Sequence, residues 1–171
     1  LGRIDDSESA LALREFAMTR AISPVLRLEA LNALSAQTDA RATDLFIELI
    51  THRWPPIRAA ALKALARSDS DSFMLVLSGM GRDPDWRVRA ALAEALAHVE
   101  TDAATFRLRQ LLEDEDSRVI PHALEALAGY GPSETETLLL DNLEREDPVV
   151  RKAAARLLGA LEASASSAVA G

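Results

Sequence analysis

Asp85-Trp86-Arg87-Val88-Arg89-Ala90-Ala91-Leu92-Ala93-Glu94-Ala95-Leu96 governs how the rest of the chain is read. Counted from Arg89, its apolar residues fall at −1, +3, +4, +6 and +7. At 100° per residue these cover one broad face of an α-helix, and Asp85 is an N-cap residue type. The same pattern recurs along the chain every 31 residues without gaps. The leucine row is Leu34, Leu65, Leu96, Leu127 and Leu158, and the arginine row is Arg27, Arg58, Arg89, Ile120 and Arg151. Leu26, Ile57, Val88, Val119 and Val150 precede the arginines; Ala30, Ala61, Leu92, Ala123 and Ala154 follow them. A further row is Ala33, Ala64, Ala95, Ala126 and Leu157. Five rows in register over five copies are an internal repeat, not a by-product of composition.

Each copy therefore carries a second helix, expected over 24–36, 55–66, 85–98, 117–128 and 148–161. Asp85, Asp116 and Asp147 stand at the caps, and Pro24, Pro55 and Pro148 stand in or near first turns. Less regular first helices are expected over 7–20, 39–51, 70–79, 103–112 and 133–143. Short polar links such as Ser68-Asp69-Ser70-Asp71 make each copy an antiparallel hairpin. One hairpin cannot cover its own apolar faces, whereas stacked hairpins can. The fold class is all-α, a right-handed α-solenoid of five hairpins at 7–36, 37–67, 68–98, 99–129 and 130–161. Residues 1–6 read as the tail of a preceding repeat, and 162–171 as a flexible tail or linker.

The stretch at 85–96, and its repeat Asp147-Pro148-Val149-Val150-Arg151-Lys152-Ala153-Ala154-Ala155-Arg156-Leu157-Leu158, resemble the HEAT repeat. The short form is similar to that of phycobilisome-lyase-type repeats. The resemblance covers residues 7 to about 161. It implies a ladder of hydrogen bonds between turn Asp and helix Arg of successive units, here Asp85, Asp116 and Asp147 with Arg58, Arg89 and Arg151. Copy four departs at Ile120, and copies one and two lack the Asp. It also implies that second helices line a concave face that binds a protein or peptide. Two other roles known among HEAT-like folds are DNA binding and a bilin-lyase or chaperone role.

Composition supports helix throughout: the 171 residues include 32 Ala and 27 Leu, with only 4% aromatics. No run reaches the ~18 uncharged apolar residues of a membrane span. Zero Cys excludes disulfides and thiolate chemistry, and a net charge of −8 opposes a broadly basic nucleic-acid or membrane binder. A cytoplasmic location is favoured. The histidines are His52, His98 and His122, without zinc-type spacing; His122 and Glu125 share a helix face but make only half a site. No phosphate loop or nucleophile elbow is present, so neither catalysis, metal nor cofactor is expected.

Two binding surfaces are expected. The first is a groove lined by the +1 row (Leu28, Ala59, Ala90, Pro121, Lys152) and the +5 row (Asn32, Lys63, Glu94, Glu125, Arg156). Small residues there admit a partner's backbone, and charges set register. The second is a rim of turn residues, Arg53, Trp54, Arg82, Trp86, Arg87 and Arg118, of the types common in binding hot spots and able to contact phosphates. Pro121 and Ile120 together predict a distorted helix start near Ser117–Pro121. Uncapped terminal hairpins predict self-association.

Overall fold

A computed structural model describes residues 6–19, 23–36, 42–130 and 132–169. The described residues are helical with no strand: α1 (Asp6–Met18), α2 (Pro24–Ala36), α3 (Thr43–Leu49), α4 (Pro55–Ser68), α5 (Ser70–Gly79), α6 (Trp86–Leu96), α7 (Asp102–Leu111), α8 (Ile120–Ala128), α9 (Pro132–Leu143) and α10 (Pro148–Val169). The chain divides into two compact units, Leu1–Val99 and Glu100–Gly171.

In the first unit α1 packs on α2, α3 on α4, and α4 also on α5, so successive helices pair as the short links require. The second helices α2, α4 and α6 form a layer in which α4 touches both neighbours. The repeat rows supply that interface: Leu31, Leu34, Ile57, Leu62, Leu65, Val88 and Leu96 are all fully buried, with Phe46 and Phe73 contributed by α3 and α5. Alanines Ala61, Ala64, Ala93 and Ala95 are buried between the larger side chains, letting the helices approach closely. In the second unit α7 packs on α8, α9 on α10, and the second helices α8 and α10 on each other around Leu108, Val119, Leu124, Leu139 and Val150.

Helix starts follow local chemistry. Asp69 caps α5 by accepting the Ser72 N–H at 2.9 Å, and Thr101 caps α7 through the Ala104 N–H at 3.1 Å. Where Trp54 replaces the aspartate, Pro55 and Pro56 open α4 and no side chain caps it.

Three expectations change. The second helix of copy four begins at Ile120, and residues 117–119 form a turn instead. Pro121 has no N–H to give to a carbonyl four residues back, so it fits only within the helix's opening turn. The flexible tail expected over 162–171 is helical through Val169, because its alanines and serines simply continue α10. The first helix of copy two runs only from Thr43 to Leu49, while the start expected for it at 39 lies outside the described residues, as do residues 1–5.

Candidate interaction surface

The arginine row organises the turns. Each of three arginines donates from Nη1 to two carbonyls of its own turn, five and six residues back. Arg58 reaches the His52 and Arg53 oxygens at 2.9 and 3.3 Å, Arg89 those of Asp83 and Pro84 at 2.8 and 3.2 Å, and Arg151 those of Arg145 and Glu146 at 3.0 and 2.6 Å. One guanidinium thereby satisfies carbonyls that no helix can pair. Arg89 is buried as a result.

Arg58 also reaches the next repeat, but its partner is Asp83 rather than Asp85. Nε and Nη2 each donate to one Asp83 oxygen at 2.7 Å. Asp83 Oδ1 accepts the Asp85 N–H at 2.9 Å as well. Burial pushes the Asp83 carboxyl up, but the Arg58 hydrogen bonds, the Asp85 N–H and the Arg58 and Arg89 charges outweigh it and hold it below its ordinary value. Asp85 instead caps α6 through the Arg87 N–H and binds Arg87 Nη1 at 3.1 Å, adding only a Coulombic pull on Arg58. Asp116 accepts the Arg118 N–H and side chain, and Asp147 accepts the Val149 N–H at 2.7 Å and the Ser117 hydroxyl. The residue two before the cap forms its own row, His52, Asp83, Asp114 and Arg145. That row repeats at the same 31-residue spacing as the caps, though its residue types vary. Asp114 shares Asp83's local bond, accepting the Asp116 N–H at 2.9 Å.

Opposite Arg27 of copy one, the ladder position is His52. Its Nδ1 accepts the Trp54 N–H at 3.1 Å, and its Nε2 lies 3.2 Å from Arg27 Nη1. Arg27 Nη2 donates to the Thr19 carbonyl at 2.8 Å, while its buried Nε has no partner. Burial, then the charges of Arg27 and Arg53, keep the imidazole pKa below its ordinary value.

The groove rows are unevenly exposed. Ala90 is only 4% exposed, so it offers almost no surface to a partner. Leu28, Ala59 and Pro121 are half-buried and Lys152 is exposed. Along the +5 row, Lys63 Nζ meets Glu94 at 3.1 Å and Arg156 meets Glu125 at 3.3 Å, each pair joining equivalent positions of adjacent repeats. Asn32 at the head of that row is exposed.

On the rim, Arg87 stacks over the Trp86 ring at 5.4 Å while bound to Asp85. Arg118 is held by both Asp116 oxygens at 2.8 and 2.7 Å. Arg53 and Arg82 are exposed, and Trp54 and Trp86 are half-buried. Two rim arginines thus already carry a neutralising carboxylate. Two large apolar side chains on first helices stand exposed, Leu75 at 74% and Phe106 at 64%, although Phe106 falls on the same apolar stripe as the buried Leu108, Leu111 and Leu112. They occupy equivalent repeat positions, 31 residues apart. Among the described residues no group of three or more His, Asp or Glu side chains could hold a metal, and no helix is long and apolar enough to cross a membrane.

The comparisons agree with this architecture. No curated protein matches the chain. Among solved structures it is similar to the complex of CpcE and CpcF of phycocyanin lyase from Nostoc sp. PCC7120, with 22% identity and a TM-score of 0.63 over 94% of this chain. The match spans 66% of that chain, just under two thirds of its length. An engineered protein matches at 20% identity over 95% of this chain and 94% of its own, with a TM-score of 0.47. The family model for HEAT repeats matches residues 43–128 and 106–170. With three quarters of its length so matched, this chain belongs to the HEAT repeat family, and its described residues have the all-helical make-up of an α-solenoid.

Proposed function

We propose that this chain is a non-enzymatic scaffold that holds a protein or peptide partner on the solvent-facing side of its second helices. The supporting observation is the lateral pairing along the +5 row, Lys63 with Glu94 and Glu125 with Arg156. Such half-exposed pairs add little to stability. Placed one repeat apart within each unit, the two opposite charges instead set the register of an extended partner. Leu28, Ala59 and Pro121 beside them supply a low apolar floor. The test is affinity capture with the native chain and with Glu94→Lys and Glu125→Lys, with helicity checked by circular dichroism. Loss of the captured set in the variants is expected; an unchanged set would remove the groove from consideration.

A nucleic-acid role for the rim is the weaker reading, because Arg87 and Arg118 are already paired and the net charge is −8. Retention of labelled duplex on filters at low salt, lost steeply as salt rises, would restore it. A bilin-lyase-like or chaperone-like role rests on the fold shared with the phycocyanin lyase subunits. A change in bilin absorbance on mixing with the chain would favour that role. Self-association through the first hairpin is part of the same proposal. It is supported by Val25 and Leu26, which are exposed on α2.

A further inference from the structure

Comparing copies one and two shows a missing acceptor. In copy two, Arg58 places Nε and Nη2 on the two Asp83 oxygens at 2.7 Å, and Asp83 Oδ1 also takes a backbone N–H. Opposite Arg27 of copy one, His52 stands in for the carboxylate. Its Nδ1 accepts the Trp54 N–H, so the proton of the neutral ring sits on Nε2. That N–H faces Arg27 Nη1, another donor, at 3.2 Å. Arg27 Nε is buried with nothing to bind. Two donors therefore confront each other, and a third is orphaned, at a place where the neighbouring repeat holds a carboxylate. An unpaired buried donor of this kind is costly to maintain.

The same corner opens into a cavity of about 270 Å³. Arg27, His52, Thr51 and Glu48 line one side of it, and Ala17, Met18, Leu45 and Leu49 the other. Arg53 and Arg58 add positive charge next to His52. Glu48 is exposed at the cavity wall, where its charge disfavours a dianion more than a monoanion. We propose that this cavity binds a monocarboxylate bearing a short aliphatic group, its carboxylate facing the Arg27 guanidinium and the His52 ring and its alkyl part lying against Met18, Leu45 and Leu49. The ligand supplies the carboxylate that the sequence omits at position 52. Both a free small acid and the C-terminal carboxylate of a peptide ending in an aliphatic residue have this chemistry.

The test follows the Arg27 Nε–H resonance of the full-length chain by nitrogen-15 NMR. Isovalerate and isovaleramide are titrated in parallel, as are N-acetyl-Ala-Leu as free acid and as amide. A downfield shift of that resonance with an acid, and at least about tenfold weaker binding of its amide, is the expected result. The acid that binds more tightly identifies the source as a free acid or a chain terminus. In His52→Asp the carboxylate is built in, so the resonance should sit downfield without ligand and stop responding. Arg27→Gln should lose the response of the cavity methyl groups. Equal binding of acid and amide, no response to either acid, or full binding by His52→Asp would each overturn the proposal.

Discussion

Arg58 and Asp83 meet through two parallel hydrogen bonds of 2.7 Å across successive repeats, with both side chains mostly shielded from water. The pair does more than add an ion pair, since the same guanidinium binds its own turn's carbonyls and the same carboxylate holds the next turn's N–H. Replacing the carboxylate by an amide keeps an acceptor for the Asp85 N–H but leaves a shielded cation without its counter-charge, one of its N–H groups facing an NH2 donor. Asp83→Asn should therefore cost about 2–3 kcal/mol of unfolding free energy, more than an exposed pair is worth. Urea denaturation of the two proteins measures this, and a difference under about 0.5 kcal/mol would contradict it. The carboxyl's folded pKa lies below its unfolded value. Its contribution is accordingly complete above the ordinary carboxylate range near 4 and fades as pH falls through the folded value. The Asn variant should lack that part of the acid transition.

His52 predicts a loss in the same direction but at higher pH. Its folded pKa is depressed by burial and by Arg27 and Arg53, so the unfolded chain binds the proton more readily. Stability should fall as pH drops through about 6.5, the unfolded imidazole value, and the loss should vanish in His52→Asp. That substitution restores at copy one the arrangement seen at Asp83, and should stabilise the protein at pH 7 by about 1–2 kcal/mol. Thermal unfolding across pH 5–8 would show both effects. A destabilised variant would mean that copy one's turn cannot accept copy two's geometry.

How much of this was legible beforehand depends on which residues repeat visibly. The second helix Pro24–Ala36 and the first helix Ser70–Gly79 match their sequence reading end to end, because apolar spacing and terminal residues agree there. The Arg58 rung was misassigned by two residues because Asp85 is a conspicuous cap and also sits in register. Only geometry distinguishes a carboxylate facing its own helix from one facing a neighbouring repeat. Ala90 was assigned to the open groove by a wheel that treats a helix as having one buried side. A helix flanked by other helices buries more than half its circumference. The cavity beside Arg27 was not legible at all, since its lining comes from three helices and a turn that no local pattern brings together.

Copy four offers a backbone test. Pro121 cannot give the hydrogen bond that an ordinary residue would return to Ser117, and the α-helix begins three residues later than in copy three. Pro121→Ala should extend α8 back to Ser117, seen as helical Cα shifts at Ser117–Val119. The new bond and the lost proline rigidity nearly cancel, so stability should change by less than about 1 kcal/mol. Unchanged shifts would mean that Ile120, standing where other copies have Arg, sets the turn instead.

Leu26 and Ile57 occupy the same repeat position, yet Leu26 is 51% exposed and Ile57 0%. Ile57 lies in the layer between α2 and its neighbours, whereas Leu26 has no earlier second helix against it among the described residues. Ile57→Ala should cost about 2–5 kcal/mol, through lost transfer energy and the cavity left behind. Leu26→Ala in a monomer should cost under about 1 kcal/mol, since little of that surface leaves water on folding. If the first hairpin self-associates, Leu26 becomes buried in the assembly. Sedimentation equilibrium should then show concentration-dependent mass for the native chain and a shift toward monomer for Val25→Ser with Leu26→Ser. A strict monomer at high concentration, with or without those changes, would remove the first hairpin as a contact surface and leave the second-helix face as the site to pursue.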